Sequence, residues 1–201
     1  MTAMCQRTVQ FLFMLVGLSA CQLMGSAPSK PAMDESPPAK VATRAASASG
    51  KTAVVLNTVP GRPGDVVTVT ATLNSGGATV AGTQNDIGFD PKQIAIAATP
   101  DGRPDCAANA QLGKEGTAFS FLPQGCNAAG GQCTSARVLV LSLSNVKPIA
   151  NGSTLYTCKV RVASQASPGA HTLSLSRVGF SNPTGQAIDG GGIDGAVTVS
   201  K

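Results

Sequence analysis

From residue 51 onward, apolar residues recur at every second position in short runs. Val67, Val69, Ala71 and Leu73 alternate with Thr68, Thr70 and Thr72. A period of two rich in β-branched residues predicts a strand with one buried and one wet face. Tyr156, Cys158, Val160 and Val162 alternate with Thr157, Lys159 and Arg161 in the same way. Leu173 and Leu175 alternate with Thr172, Ser174 and Ser176. Residues 138–143 are nearly all apolar, which predicts a central strand covered on both faces or one with an exposed apolar face. Further runs predict strands at 53–59, 80–89, 94–97, 118–122 and 196–200. Between them lie turn signals: Pro60-Gly61-Arg62-Pro63-Gly64, Asn74-Ser75-Gly76-Gly77, Pro148 to Gly152, Pro168-Gly169 and Asp189 to Gly192. No stretch sustains a 3.6-residue period. About nine short strands over residues 51–201 predict an all-β sandwich.

Composition narrows the choice. Only 12% of residues are charged and 3% aromatic, with 23 Gly and 13 Pro, which excludes a coiled coil or large helical bundle. A hydrophobic share of 42% excludes a disordered chain. The net charge of +5 is spread singly along the chain, with no basic block interleaved with aromatics, so nucleic acid is not expected as a partner.

The first 20 residues read as an export signal: Arg7, then the apolar run 11–18, too short to span a bilayer. Leu18-Ser19-Ala20-Cys21 resembles the lipobox of bacterial lipoproteins. That resemblance implies cleavage before Cys21, lipidation of Cys21, and an exported, membrane-anchored protein. Gln22 is not the Asp associated with inner-membrane retention, so the outer membrane is the expected address, with either side open. The alternative is ordinary cleavage and a secreted product. Residues 21–50 then form the lipidated Cys and a Pro/Ala/Ser linker, with Pro28, Pro31, Pro37 and Pro38 breaking any helix. As a flexible coil it would span roughly 30 Å.

Setting aside Cys5 and Cys21 leaves Cys106, Cys126, Cys133 and Cys158. Four thiols in an exported chain predict two disulfides with three possible pairings. Cys126 and Cys133 flank a Gly-rich loop and can close it locally, which would leave Cys106 with Cys158. Zinc is not expected, because no Cys pair has ligand spacing and His171 stands alone. No nucleophile–base arrangement is visible, so no catalytic residue is assigned and an enzyme is not expected. The acids other than Asp86 and Glu115 sit beside Gly or Pro or in loops, as turn residues do. No cofactor is expected. Calcium is the one ion considered: Gly190-Gly191-Gly192-Ile193-Asp194 is similar to a single calcium-binding repeat, and Asp101 and Asp105 are possible ligands. A tight turn before the last strand is the simpler reading of that glycine run.

The order of elements resembles a family. Pro60-Gly61-Arg62-Pro63-Gly64-Asp65 precedes an alternating Val/Thr strand. Residues 80–91 end in Phe89-Asp90-Pro91. Gly152-Ser153-Thr154-Leu155 leads into 156–162, Ala166-Ser167-Pro168-Gly169 precedes a Leu-rich strand, and a Gly-rich turn leads to 195–199. Over 51–201 this set is similar to the cohesin modules. The resemblance implies a nine-stranded antiparallel jelly-roll β-sandwich and a non-catalytic docking role toward dockerins, small calcium-loaded modules on polysaccharide-degrading enzymes. With Ile87 and Phe89 inward, parity turns Gly82, Gln84, Asp86 and Gly88 outward. Well-studied cohesins tend to carry Asn and Asp near the first two of these positions. Gly and Gln stand there here, so any polar contacts to a dockerin must differ. Gln84 and Asp86 are the candidate binding face, against the plainer reading of a solvated strand face.

Three roles therefore compete. One is a lipid-anchored cohesin-like docking module for dockerin-bearing or other envelope proteins. Another is a carbohydrate-binding module holding a polysaccharide. The third is a structural envelope or adhesion lipoprotein. Sugar stacking is disfavoured because there is no Trp and alternation turns Phe89 and Tyr156 inward.

Overall fold

The computed structural model describes residues 50–201; the stretch read as an export signal, Cys21 and the expected linker up to residue 49 lie outside the described residues. Thirteen strands follow one another: β1 (Thr52–Leu56), β2 (Thr58–Gly61), β3 (Val66–Asn74), β4 (Gly82–Gly88), β5 (Ile94–Ile96), β6 (Cys106–Ala108), β7 (Ala118–Leu122), β8 (Ser135–Val140), β9 (Thr154–Val162), β10 (Gly169–Ser181), β11 (Ala187–Ile188), β12 (Gly190–Ile193) and β13 (Gly195–Val199). One short 3₁₀ turn, Ala110–Leu112, stands between β6 and β7.

The strands form two facing sheets. The first runs β12-β1-β3-β9-β5, with β6 also on β9; the second runs β2-β13-β10-β4-β8-β7, with β11 on β10. Their inner faces supply one core, in which Val54, Val69, Leu73, Ile87, Ile94, Val138, Leu155, Val160 and Leu173 are fully buried. Phe89 and Tyr156 face inward as alternation requires. A bulge in the β3–β9 pairing, between Ala71 and Thr72, turns both Leu155 and Tyr156 inward on successive positions.

The sandwich is all-β as expected, but thirteen strands replace nine, and two pairings are parallel rather than antiparallel. The run expected at 53–59 breaks at Asn57, where the chain crosses between sheets: β1 pairs parallel with β12, and β2 pairs parallel with β13. Asn57 fastens the crossing, its amide donating to the Thr70 carbonyl and its Oδ1 accepting from the Thr70 amide.

The glycine run 190–192 is a strand rather than a turn. A Cβ on Gly190 would come within 3 Å of the Phe180 ring and the Thr52 carbonyl, and one on Gly192 would press on Leu175. At 190 and 192 glycine is there because β12 packs too closely on its neighbours for a side chain, while a Cβ on Gly191 would meet open space.

The 138–143 run resolves in favour of an exposed apolar face. Ala136, Val138 and Val140 are fully buried, while Leu139 and Leu141 stand half-exposed on the other side. Both disulfides form, Cys106–Cys158 across the paired strands β6 and β9, and Cys126–Cys133 within the β7–β8 loop.

Candidate functional site: the outer face of the second sheet

Strands β10, β4, β8 and β7 place Gln84 and Asp86 at the middle of an open face. Register fixes its composition. Gln84 lies opposite Gly179 and Leu139, and Asp86 opposite Ser176 and Arg137. Gly82 pairs with Ser181 and Gly88 with Ser174; beyond β8, Ser120 lies opposite Arg137 and Ala118 opposite Leu139. The face is therefore mostly Gly, Ser and Ala, and gives little relief. A shallow groove of about 230 Å³ opens on it among Gly82, Gln84, Leu139, Leu141, Gly179 and Ser181.

Gln84 is exposed, as the candidate reading requires. Asp86 also points outward, yet it is 4% exposed. Arg137 covers it: Nε donates to Oδ1 at 2.7 Å and Nη2 to Oδ2 at 2.8 Å, a bidentate pair. The Arg177 Nε lies 3.7 Å from Oδ2 on the other side. The Asp86 carboxylate holds the Arg137 guanidinium proton more firmly still, raising its pKa. The sequence signalled the Asp86 position but not its two arginines, which come from strands far along the chain.

Arg177 is reached through an irregularity. The β10–β4 pairing slips between Ser176 and Gly179, and Arg177 takes φ 50° there. It is the non-glycine residue with positive φ among the described residues, a conformation that disfavours an L side chain.

Beneath the face, on the same strand, Thr83 and Asn85 turn inward. The Tyr156 hydroxyl donates to Asn85 Oδ1 at 3.0 Å, while Asn85 Nδ2 and Thr83 Oγ1 have no partner. Burial drives the Tyr156 pKa well above its ordinary value, against a smaller opposing effect of the Asn85 bond. Phe119 meets the Tyr156 ring edge-on, with centroids 6.0 Å apart. The aromatic side chains thus serve the core, not a sugar platform.

A second, polar groove lies at one end of the sandwich, lined by Asn109, Gln111, Asn145, Lys147 and Ser153. Its walls are tied to each other. The buried Lys114 ammonium donates to the carbonyls of Asn145 and Lys147 at 2.7 and 2.8 Å, and burial lowers its pKa. Asn145 Nδ2 donates to the Gly113 carbonyl at 3.0 Å. Glu115 accepts from Ser142 at 2.5 Å, which draws its pKa below the usual carboxylate value.

The acids considered for calcium have protein partners. Asp101 accepts from Thr99 and Arg103, Asp105 pairs with Lys159 at 3.1 Å, and Asp194 accepts from the Leu175 amide at 2.7 Å. Among the described residues no three His, Cys, Asp or Glu side chains gather as a metal site. The His171 ring is exposed enough to be wetted and lies 2.7 Å from the Ser167 carbonyl.

No protein-family model matches the sequence, and no curated protein matches it either. Solved structures do. The sixth cohesin of Acetivibrio cellulolyticus scaffoldin B, in complex with a Cel5 dockerin, superposes with a TM-score of 0.58 at 17% identity, over 74% of this chain and 99% of that one. A type I cohesin from a cohesin–dockerin complex of Clostridium thermocellum gives 0.57 at 15%, over 75% and 99%. A non-cellulosomal cohesin of the archaeon Archaeoglobus fulgidus gives 0.54 at 14%, over 75% and 92%. The fold is thus the cohesin-like jelly-roll sandwich.

Proposed function

We propose that the protein is a non-catalytic docking module that presents the outer face of the β10-β4-β8-β7 sheet to a protein partner of dockerin type. The observation that carries this reading is the face itself. It is built mostly of Gly, Ser and Ala, and centred on an ion cluster beside a small, largely apolar groove. Small outward residues let a helix approach the sheet closely, and the apolar groove gives one anchoring side chain a seat. Further support is that two of the three solved structures named above are held with dockerins. The Leu-Ser-Ala-Cys run at residues 18–21 completes the proposal: Cys21 carries lipid, the linker 22–50 spaces the domain from the membrane, and the module works at the cell envelope, with the outer membrane as its seat.

The test offers the purified, oxidised protein to calcium-loaded dockerin modules and to insoluble polysaccharides in parallel, with and without a calcium chelator. The expected result is capture of a dockerin module that chelation abolishes and Leu139→Asp weakens. Retention on a polysaccharide alone would replace docking by carbohydrate binding. Retention on neither would leave a structural envelope role.

A further inference from the structure

We propose that Arg137 and Arg177 form a carboxylate-receiving site at the centre of this face, so that the partner helix brings an Asp or Glu three or four residues from an apolar anchor. This rests on the docking reading above and specifies the chemistry of the partner.

The donors are unspent. A guanidinium has five N–H donors. Arg137 spends Nε and Nη2 on Asp86, leaving Nη1 free. Arg177 approaches Asp86 only at 3.7 Å, makes no hydrogen bond among the described residues, and its side chain is 73% exposed. Asp86 cannot offer itself to the partner, since its side chain is 6% exposed and both oxygens are taken. The outward residues of β4, β8 and the facing part of β10 carry two positive charges and one negative, so the centre of the face is left with an excess of positive charge. The acid of the cluster orients the arginines, and the arginines meet the partner.

Two further observations agree. Arg177 sits at a bulge with φ 50°, where glycine would be at ease, so a side chain is kept there against the backbone preference. The groove beside Gln84 is the second half of the site. Gln84 and Asp86 are same-face neighbours on β4, about 6.7 Å apart. Neighbours on a helix surface, three or four residues apart, are about 5–6 Å apart. A helix laid along β4 therefore drops an apolar side chain between Leu139 and Leu141 while its acidic neighbour reaches the arginines.

The probe is a displayed library of dockerin-type helical modules with the helix contact positions randomised, selected on the full-length oxidised protein. Winners are re-measured on Arg177→Gly, Arg177→Glu and the control Arg161→Glu, which lies on the opposite sheet. Arg177→Gly suits the positive φ, so it removes the guanidinium without threatening the fold. The expected winners carry Asp or Glu beside Leu, Ile or Val, lose about tenfold in affinity on Arg177→Gly, lose more on Arg177→Glu, and are unmoved by Arg161→Glu. Their affinity should also fall as salt rises. Selection on Arg177→Glu should instead enrich Lys or Arg. Winners without acidic enrichment, or indifferent to Arg177, overturn the arginine site while docking stands. A library that yields no binder to this face overturns docking itself. Binding of soluble polygalacturonate in place of any helical module would assign the arginines to an acidic glycan and overturn the proposal.

Discussion

Removing one oxygen atom from the core tests how the sandwich is held together beneath the outer face of the second sheet. Tyr156 is 1% exposed and its hydroxyl donates to Asn85 Oδ1, while Asn85 Nδ2 already lacks a partner. Tyr156→Phe keeps the ring and its edge-on contact with Phe119 but strands the Asn85 amide entirely. Loss of the bond removes about 1 kcal/mol net, and the stranded oxygen adds a desolvation cost, for a total of about 2 kcal/mol. In a domain of this size that lowers Tm by about 6 °C. Asn85→Leu keeps the heavy-atom shape, strands the tyrosine hydroxyl instead, and relieves the orphan Nδ2, so it should cost less. The double variant replaces both partners with apolar groups. Its cost should fall short of the sum of the singles by about 1–2 kcal/mol. Urea unfolding followed by far-UV circular dichroism measures all four proteins, because the signal does not depend on Tyr156. A neutral Tyr156→Phe, or a cycle additive to within about 0.5 kcal/mol, would refute the claim that this pair is a buried, mutually dependent hydrogen bond.

Other expectations follow from the same structure. Replacing Cys106 and Cys158 by Ala should cost about 4 kcal/mol and replacing Cys126 and Cys133 about 2, because the closed loops differ in length; equal costs in denaturant titrations would contradict the loop-closure account. Tyr156 is the chain's single tyrosine, so tyrosinate absorbance reports it alone. Its raised pKa means the unfolded chain releases a proton above pH ~10 that the folded chain keeps, so stability is intact below that pH and falls above it by up to about 1.4 kcal/mol per pH unit. Tyrosinate should therefore appear only with unfolding; the depressed Lys114 pKa acts in the opposite direction at somewhat lower pH, which makes absorbance the cleaner readout. The Glu115 carboxyl should titrate below the usual range by NMR, and Ser142→Ala should move it upward. Arg177→Gly should raise thermal stability, by roughly 1 kcal/mol, as its backbone strain is relieved.

What could be read from the chain alone was whatever depends on neighbours in sequence. The alternation at 66–74 and 154–162 gave strands within a residue or two, and parity from Ile87 and Phe89 turned Gln84 and Asp86 to the outside. The cysteines paired as local closure suggested. Long-range facts were less accessible. Nothing near Asp86 announces Arg137 or Arg177, which arrive by strand pairing, so a carboxylate covered by arginines read as an exposed one. The glycines at 190–192 carry a turn's signature, yet they form a strand in which Gly190 and Gly192 allow close packing against Phe180 and Leu175. Asn57 ended one strand and began another because the chain changes sheets there. Asn85, inward by parity, found its partner in Tyr156 on the other sheet.

The parallel pairings have a consequence for the order in which the molecule can come together. The two strands that open the domain each have a neighbour among the strands that close it: Thr52 of β1 meets Gly190 in one sheet, and Thr58 of β2 meets Ala196 in the other. During synthesis, then, β1 and β2 wait for nearly the whole chain before their outer sides are satisfied. Contacts so distant along the polypeptide make closure slow relative to local hairpins such as β7–β8. A nascent chain stalled before Gly190 has β1 paired on one side only, with β3, and β2 without its strand partner. Strands β12 and β13 thus act as the clasp that closes each sheet over the strands that open the domain.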